Sequence, residues 1–366
     1  MAIYDVNGTE IITDSSVTAD DVKRALISAV ADGTVNLGAA VGATLPYSGL
    51  TDNWIANATT AYEAMKAQYD LDPTRSIPIF ATADQHDAGL QCHRYMNNID
   101  NEGVGFVSVN LGDTDNATYG ETSMKKWYDQ IKQVKNYIGV VGNHDAIVNP
   151  TSNEGITRWI TRTFIPTNLP MYHSPSRLNS YVAIDGLHSV KYLVLDFEYI
   201  VDESSNRRGF DGPTVDWMID WMSRNDGLDI VLLQHWPTNP TWMSRGDSEE
   251  TAHGDPWSSG TVVPVGELWQ FFLDRKFKRS GTYTDMNGVS HSFDFTGCKT
   301  ELLCELTGHQ HEEKFTTKDG FTVYTETRHG VTSRACIFAV INRTTQKLHI
   351  YAFNSTEVLE ELVLDI

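Results

Sequence analysis

Polar and apolar positions along the chain fall into two textures that meet near residue 73. Before that point, Thr18-Ala-Asp-Asp-Val-Lys-Arg-Ala-Leu opens as a capped helix with acidic residues in its first turn. A Gly- and Ala-rich stretch follows, and a second helix is predicted from about Thr51 to Tyr69. Beyond it come short apolar runs, each ending on a polar cluster. Ile77-Pro-Ile-Phe-Ala-Thr-Ala ends at Asp84, and Val104-Gly-Phe-Val-Ser-Val-Asn-Leu ends at Gly112-Asp113. Tyr137-Ile-Gly-Val-Val ends at Gly142-Asn143-His144-Asp145. Asp229-Ile-Val-Leu-Leu-Gln ends at His235, and Leu302-Leu-Cys-Glu-Leu-Thr ends at Gly308-His309-Gln310-His311. Short runs separated by helix-length polar segments predict β-α-β units and a largely parallel sheet. Each cluster then sits at a strand's carboxyl end, where open α/β sheets put their sites.

The later runs from Thr322, Ala335 and Lys347 read as strands that close the sheet region in antiparallel fashion. Asn342-Arg-Thr-Thr-Gln forms a turn between the last two. The expected organisation is a mainly helical extension over residues 1–72 and an α/β domain over 73–366, with inserts at about 146–228 and 237–298. Arg158 to Asn179 and Trp236 to Gly260 are expected to supply loops over the site. Trp217 and Trp221 stand four apart, which is the spacing of a helix core rather than of a substrate box.

Composition narrows the partners. The chain has 366 residues, 40% of them hydrophobic, enough for a large core. Its 48 acidic against 28 basic residues give a net charge of -20, which disfavours nucleic acid unless bound cations reverse the local field. The four cysteines form no C-x-x-C pair; Cys298 and Cys304 are read as buried thiols, with a bridge between them as the alternative. No apolar run approaches the ~20 residues of a membrane span, and MAIYDVNGTEIITDSS has neither the basic nor the apolar region of a signal peptide. The expectation is therefore a cytoplasmic protein, with association with a phage particle or cell-surface structure kept in view.

The chemistry lies in the combination. Asp84-Gln85-His86 or Gly112-Asp113 alone is weak, and Asp113 and Asn143 could each be plain turn residues. Glycine before each equally fits close backbone approach to an ion. Taken in order, D-x-H, G-D, G-N-H-D, a later His and G-H-x-H resemble the signature of the calcineurin-like metallophosphoesterase superfamily. The resemblance covers about residues 76–352. It implies a four-layer β-sandwich of two mixed sheets flanked by helices, with the site at the sheet ends.

The resemblance also implies roles. Asp84, His86 and His311 would bind one metal ion, and Asn143, His235 and His309 a second, with Asp113 bridging. The ligand mixture suits two divalent or trivalent transition ions, Mn, Fe or Zn. Two such ions ~3.5–4 Å apart would supply the nucleophile for a phosphomonoester or phosphodiester, a hydroxide between them attacking phosphorus in line. His144 would act as general acid. His235 departs from the pattern in lacking the glycine that the family often has before it. The residue three after the bridging Asp is Asn116, not the Tyr of purple acid phosphatases, which argues against a tyrosinate-iron site. Asn116 and Asp145 are read as supporting neighbours of the ligands. His93, Arg94 and Arg328 are candidate substrate contacts, with surface or core roles as their alternatives. His291 and His253 in the long insert are read as structural. The expected function is thus metal-dependent phosphoester hydrolysis on a small molecule. The alternative is a non-catalytic assembly or binding protein with the same fold, and a nuclease is disfavoured by charge.

Overall fold

In the computed structural model, residues 3–4, 10–12, 50–85, 91–99, 104–114, 131, 134–142, 168–176, 179–196, 210–238, 265–309, 314–325 and 335–366 are described. The chain divides into two compact units, Met1–Gly49 and Leu50–Ile366. In the first, the described strands β1 (Ile3–Tyr4) and β2 (Glu10–Ile12) pair antiparallel. The helix expected after Thr18 lies outside the described residues.

The second unit begins with the helix α1 (Asp52–Asp70), close to its expected bounds. Thr51 caps it: the Thr51 hydroxyl accepts from the Trp54 amide at 3.1 Å, an arrangement worth about 1 kcal/mol. Trp54, Ala58, Ala61, Tyr62 and Met65 are buried, one stripe at helical spacing. That stripe packs on β3 (Ser76–Thr82), β15 (Cys336–Asn342) and β16 (Lys347–Phe353). Hence the unit begins at residue 50, not 73: the second helix is a layer of the sandwich rather than part of an extension.

Two mixed sheets form the middle. One has the order β17 (Leu362–Asp365), β16, β15, β3, β4 (Val107–Asn110), β5 (Tyr137–Gly139). Strands β3, β4 and β5 run parallel, and β15 joins β3 antiparallel. The other sheet has the order β13 (Lys314–Thr316), β14 (Thr322–Thr325), β12 (Leu302–Thr307), β9 (Asp229–Gln234), β8 (Val190–Leu195), β7 (Tyr181–Asp185), β6 (Met171–His173). Here β8, β9, β12 and β14 are parallel. The expected antiparallel closure therefore holds for β15 and β16, whereas β14 lies parallel to β12.

Alternation of side chains makes this a sandwich. Ile77, Ile79, Val107 and Val109 from one sheet meet Tyr192, Val194, Val231 and Leu233 from the other in a shared core. The opposite faces are covered by helices. Phe80, Phe106 and Phe338 lie under α1 and α2 (Gln91–Ile99). Leu193, Ile230, Leu232 and Leu302 lie under α3 (Gly212–Ser223) and α4 (Val265–Lys276). The layers run helix, sheet, sheet, helix, as the sequence resemblance implies.

In the stretches expected as inserts, the described residues form elements of the fold; most of the loops expected at residues 158–179 and 236–260 lie outside the described residues. Residues 171–195 supply β6, β7 and β8, and 212–223 supply α3. Residues 265–294 supply α4 and the hairpin of β10 (Ser280–Thr284) and β11 (Ser290–Asp294), whose Tyr283 and Phe293 enter the core beneath the helices. Tyr181-Val-Ala-Ile-Asp and Val190-Lys-Tyr-Leu-Val-Leu carried a legible strand signal. Trp221 is buried on α3 with Trp217 packed at the margin, as their spacing predicts. All four cysteines are free and buried; Cys298 and Cys304 belong to cores on opposite faces of the second sheet.

Trp54 is the test of the α1 layer. It is fully buried, with ring centroids 5.4 Å from Phe353 and 5.8 Å from Tyr95. Trp54→Ala is expected to cost about 3–5 kcal/mol in urea unfolding.

Candidate functional site

Strands β3 and β4 continue as a ladder past their ends: the Leu111 amide donates to the Thr82 carbonyl at 2.7 Å, and the Asp84 amide to the Gly112 carbonyl at 3.0 Å. Asp84 and Asp113 thus emerge side by side. The Asn110 side chain shapes the second loop, accepting from the Gly112 amide at 3.1 Å and donating to the Thr114 hydroxyl at 2.7 Å. From the other sheet, His235 follows β9 and His309 follows β12. The Gly308 amide donates to the His235 carbonyl at 3.0 Å, so these two loops are also tied.

The four side chains converge, each no more than 6% exposed. His235 Nε2 lies 3.4 Å from Asp113 Oδ2, 4.0 Å from Asp84 Oδ1 and 3.3 Å from His309 Nδ1. Ligand atoms of Asp113, His235 and His309 all lie within 4.8 Å of one another. The His309 amide donates to Asp84 Oδ2 at 2.9 Å. Trp236 lies against the His309 ring at 3.5 Å between centroids.

Glycine and strained backbone make this crowding feasible. A Cβ on Gly112, at φ 101°, would stand 2.6 Å from His235 Nδ1. One on Gly142 would collide with the Asp113 carboxylate, and one on Gly308 would stand 3.0 Å from Asp84 Oδ2. Asp84, Asp113 and His309 themselves have positive φ, 48°, 52° and 73°. Non-glycine residues in this region are uncommon and collect at functional sites.

The electrostatics favour a cation. His235 Nδ1 is 2.8 Å from the Leu111 carbonyl, which can only accept, so Nδ1 carries a proton and Nε2 faces the carboxylates. Burial pushes this imidazole down, but Asp113 and then Asp84 outweigh it and push it up to about 10. Two buried carboxylates call for positive charge at that point. A metal ion held by carboxylate oxygen and imidazole nitrogen answers the same demand, and the donor set fits Mn, Fe or Zn.

The structure therefore brings together Asp84, Asp113, His235 and His309. His86, Asn116, Asn143, His144, Asp145, His311, Arg328 and His253 lie outside the described residues. His93 is corrected: it does not face the site. It is buried on α2 against the outer face of the sheet, 2.7 Å from both the Thr82 and the Ser108 hydroxyls. Burial lowers its pKa to about 3, so it is a neutral core histidine rather than a phosphate contact. Arg94 follows it, half-buried on the same helix. His291 bridges Asp216 at 2.7 Å and Asp285 at 3.3 Å, joining the β10–β11 hairpin to α3.

One residue escaped the sequence reading. Glu305, fully buried on β12, accepts from the Gln234 side chain at 2.6 Å and from the amide and hydroxyl of Thr238. Its signal was a charged residue inside an apolar run. Burial pushes its carboxyl up to about 7, against the lowering effect of the Thr238 and Gln234 hydrogen bonds.

Sequence comparison finds no matching family model and no matching curated protein. Solved structures are similar at low identity. The phosphopantetheinyl hydrolase of Mycobacterium tuberculosis shares 11% identity at TM-score 0.37, over 69% of this chain and 89% of that one. GAP50, the anchor in the inner membrane complex of Plasmodium, shares 10% at TM-score 0.45, over 80% and 89%. A putative 5'-nucleotidase of Staphylococcus aureus shares 14% at TM-score 0.41, over 79% of this chain and 54% of that one. These likenesses carry no residue assignments; the site stands on its own geometry.

Gly112→Ala is expected to lower stability by more than about 1 kcal/mol, since it combines positive φ with a contact on His235; denaturant unfolding measures it. Glu305 gives a pH signature. Its folded pKa lies above the ordinary 4.5, so its contribution is full below that value and is lost as pH rises through about 7. Relative to Glu305→Gln, the wild type should lose on the order of 3 kcal/mol across that window, read from urea titrations at each end.

Proposed function

We propose that this chain is a metal-dependent phosphoric ester hydrolase acting on a small phosphomonoester or phosphodiester. The observation that carries the reading is the convergence of two buried carboxylates and two imidazoles from four strand ends of two sheets. The alternative for such a cluster is a core hydrogen-bond network, in which one proton on His235 Nε2 would be shared between Asp113 and His309 Nδ1. A shared cation would stand in place of that proton.

The roles follow the sequence order. Asp113, within reach of both His235 and His309, would be the bridging carboxylate. His235 and His309 would be ligands of one ion together with Asn143. Asp84, with His86 and His311, would hold the other. Two ions bound there would lower the pKa of water and neutralise charge on the phosphoryl oxygens. His144 is the proton donor to the leaving group. The Leu111 carbonyl holds the His235 ring in one tautomer, and Trp236 excludes water from the flank of His309. The net charge of -20 favours a small substrate over nucleic acid. Among the described residues no helix is long and apolar enough to cross a membrane.

Purified protein reconstituted with Mn, Fe or Zn is expected to hold two ions by elemental analysis and to cleave aryl phosphoesters. Chelation should abolish turnover, and metal return should restore it. Asp113→Ala should cost several kcal/mol of transition-state stabilisation, on the order of a thousandfold in kcat/KM. Protein that, offered Mn, Fe and Zn, bound none of them and cleaved neither mono- nor diesters would overturn the reading.

A further inference from the structure

Strand β12 does not keep a regular register on β9. Leu302 pairs with Ile230, but Glu305 pairs with Leu232, so the β12 side carries an extra residue. Side chains alternate along a regular strand, which would put Leu302 and Glu305 on opposite faces. The bulge re-aims them. Leu302 faces α3 and α4, whereas Leu303, Cys304 and Leu306 face the core between the sheets. Glu305 is left on the side of Leu302, where Gln234 reaches it at the end of β9.

The consequence is a clamp. Oε1 of Glu305 accepts from Gln234 Nε2 at 2.6 Å and from the Thr238 amide at 3.0 Å, and Oε2 accepts from the Thr238 hydroxyl. Between these two anchors lie only His235, Trp236 and Pro237. The strand that carries Glu305 delivers His309 four residues later. One buried carboxyl thus spans both strands that supply the imidazoles.

We propose that Glu305 is a positioning residue that fixes His235 by holding Gln234 and Thr238, and so sets the spacing of the two imidazoles. Its effect on a metal ion rests on the function proposed above; its effect on His235 rests on the clamp alone. An apolar side chain would fill the space but accept no hydrogen bond. An amide would keep the acceptor that serves Gln234 and the Thr238 amide, and its NH2 could donate to the Thr238 hydroxyl.

The test uses the full chain as wild type, Glu305→Leu, Glu305→Gln and Thr238→Val, labelled with 15N-histidine. Imidazole 1H–15N spectra are recorded on metal-free protein, with His235 assigned through His235→Asn. Cobalt(II) titrations follow, read by visible absorption. Glu305→Leu should shift or broaden the His235 resonances, weaken cobalt binding about 10–100-fold and alter its bands. Glu305→Gln should restore both to near wild type, a rescue that loss of packing alone would not show. Wild-type His235 resonances and cobalt affinity in a folded Glu305→Leu variant would overturn the proposal. Should Glu305→Leu fail to fold, Thr238→Val decides: it removes one of the three donors, and an unmoved His235 overturns the proposal. If the wild type takes up no cobalt while His235 still shifts in Glu305→Leu, the metal reading fails and the positioning role stands.

Discussion

Asp84 and Asp113 are two carboxylates shut away from water at the ends of neighbouring parallel strands. Burying one such charge is costly, and burying two side by side is worse unless positive charge is brought to them. Most of the local architecture answers that demand. The His309 amide donates to Asp84, and His235 turns Nε2 toward both carboxylates. Three backbones take up left-handed conformations to bring the groups together. A protonated His235, donating from Nε2 toward Asp113 and His309 Nδ1, supplies one positive charge against two carboxylates. Under the proposed function, metal ions held by these groups would supply the positive charge instead.

The sandwich makes the convergence feasible. Parallel strands of one sheet deliver the carboxylates, parallel strands of the other deliver the imidazoles, and the shared core between them holds the two edges in register. At the other end of the strands, Arg343 acts as a latch. Its guanidinium donates to the carbonyls of Thr74 and Arg75 beside one sheet and of His188 and Ser189 beside the other. The arrangement is therefore pinned at both ends. Such support holds converging side chains in fixed geometry, which the proposed function requires.

Helices complete the picture by covering the outer faces, and three histidines on different elements show how environment sets role. His93 and His235 are both buried, yet burial drives the first to the neutral form while carboxylates draw the second toward positive charge. His291, between Asp216 and Asp285 near the surface, is held by carboxylates without belonging to the site. Residue type alone does not distinguish these three.

The sequence by itself determined the strands that end in polar clusters, the glycines that admit close approach, and the order D-x-H, G-D, G-N-H-D, His, G-H-x-H. These are local signals: a short apolar run bounded by turn residues, and a glycine beside a polar cluster, are written in neighbouring positions of the chain. It did not reveal that helix 52–70 belongs to the sandwich, that residues 171–195 build three of the seven strands of the second sheet, or that His93 points away from the site. Those follow from which face each element buries, and that is a property of the packed layers. The pairing of β14 with β12 and the bulge that aims Glu305 are likewise matters of register between distant segments. Only the tertiary structure decided them, because hydrogen bonds between strands far apart in the chain leave no periodicity in either strand.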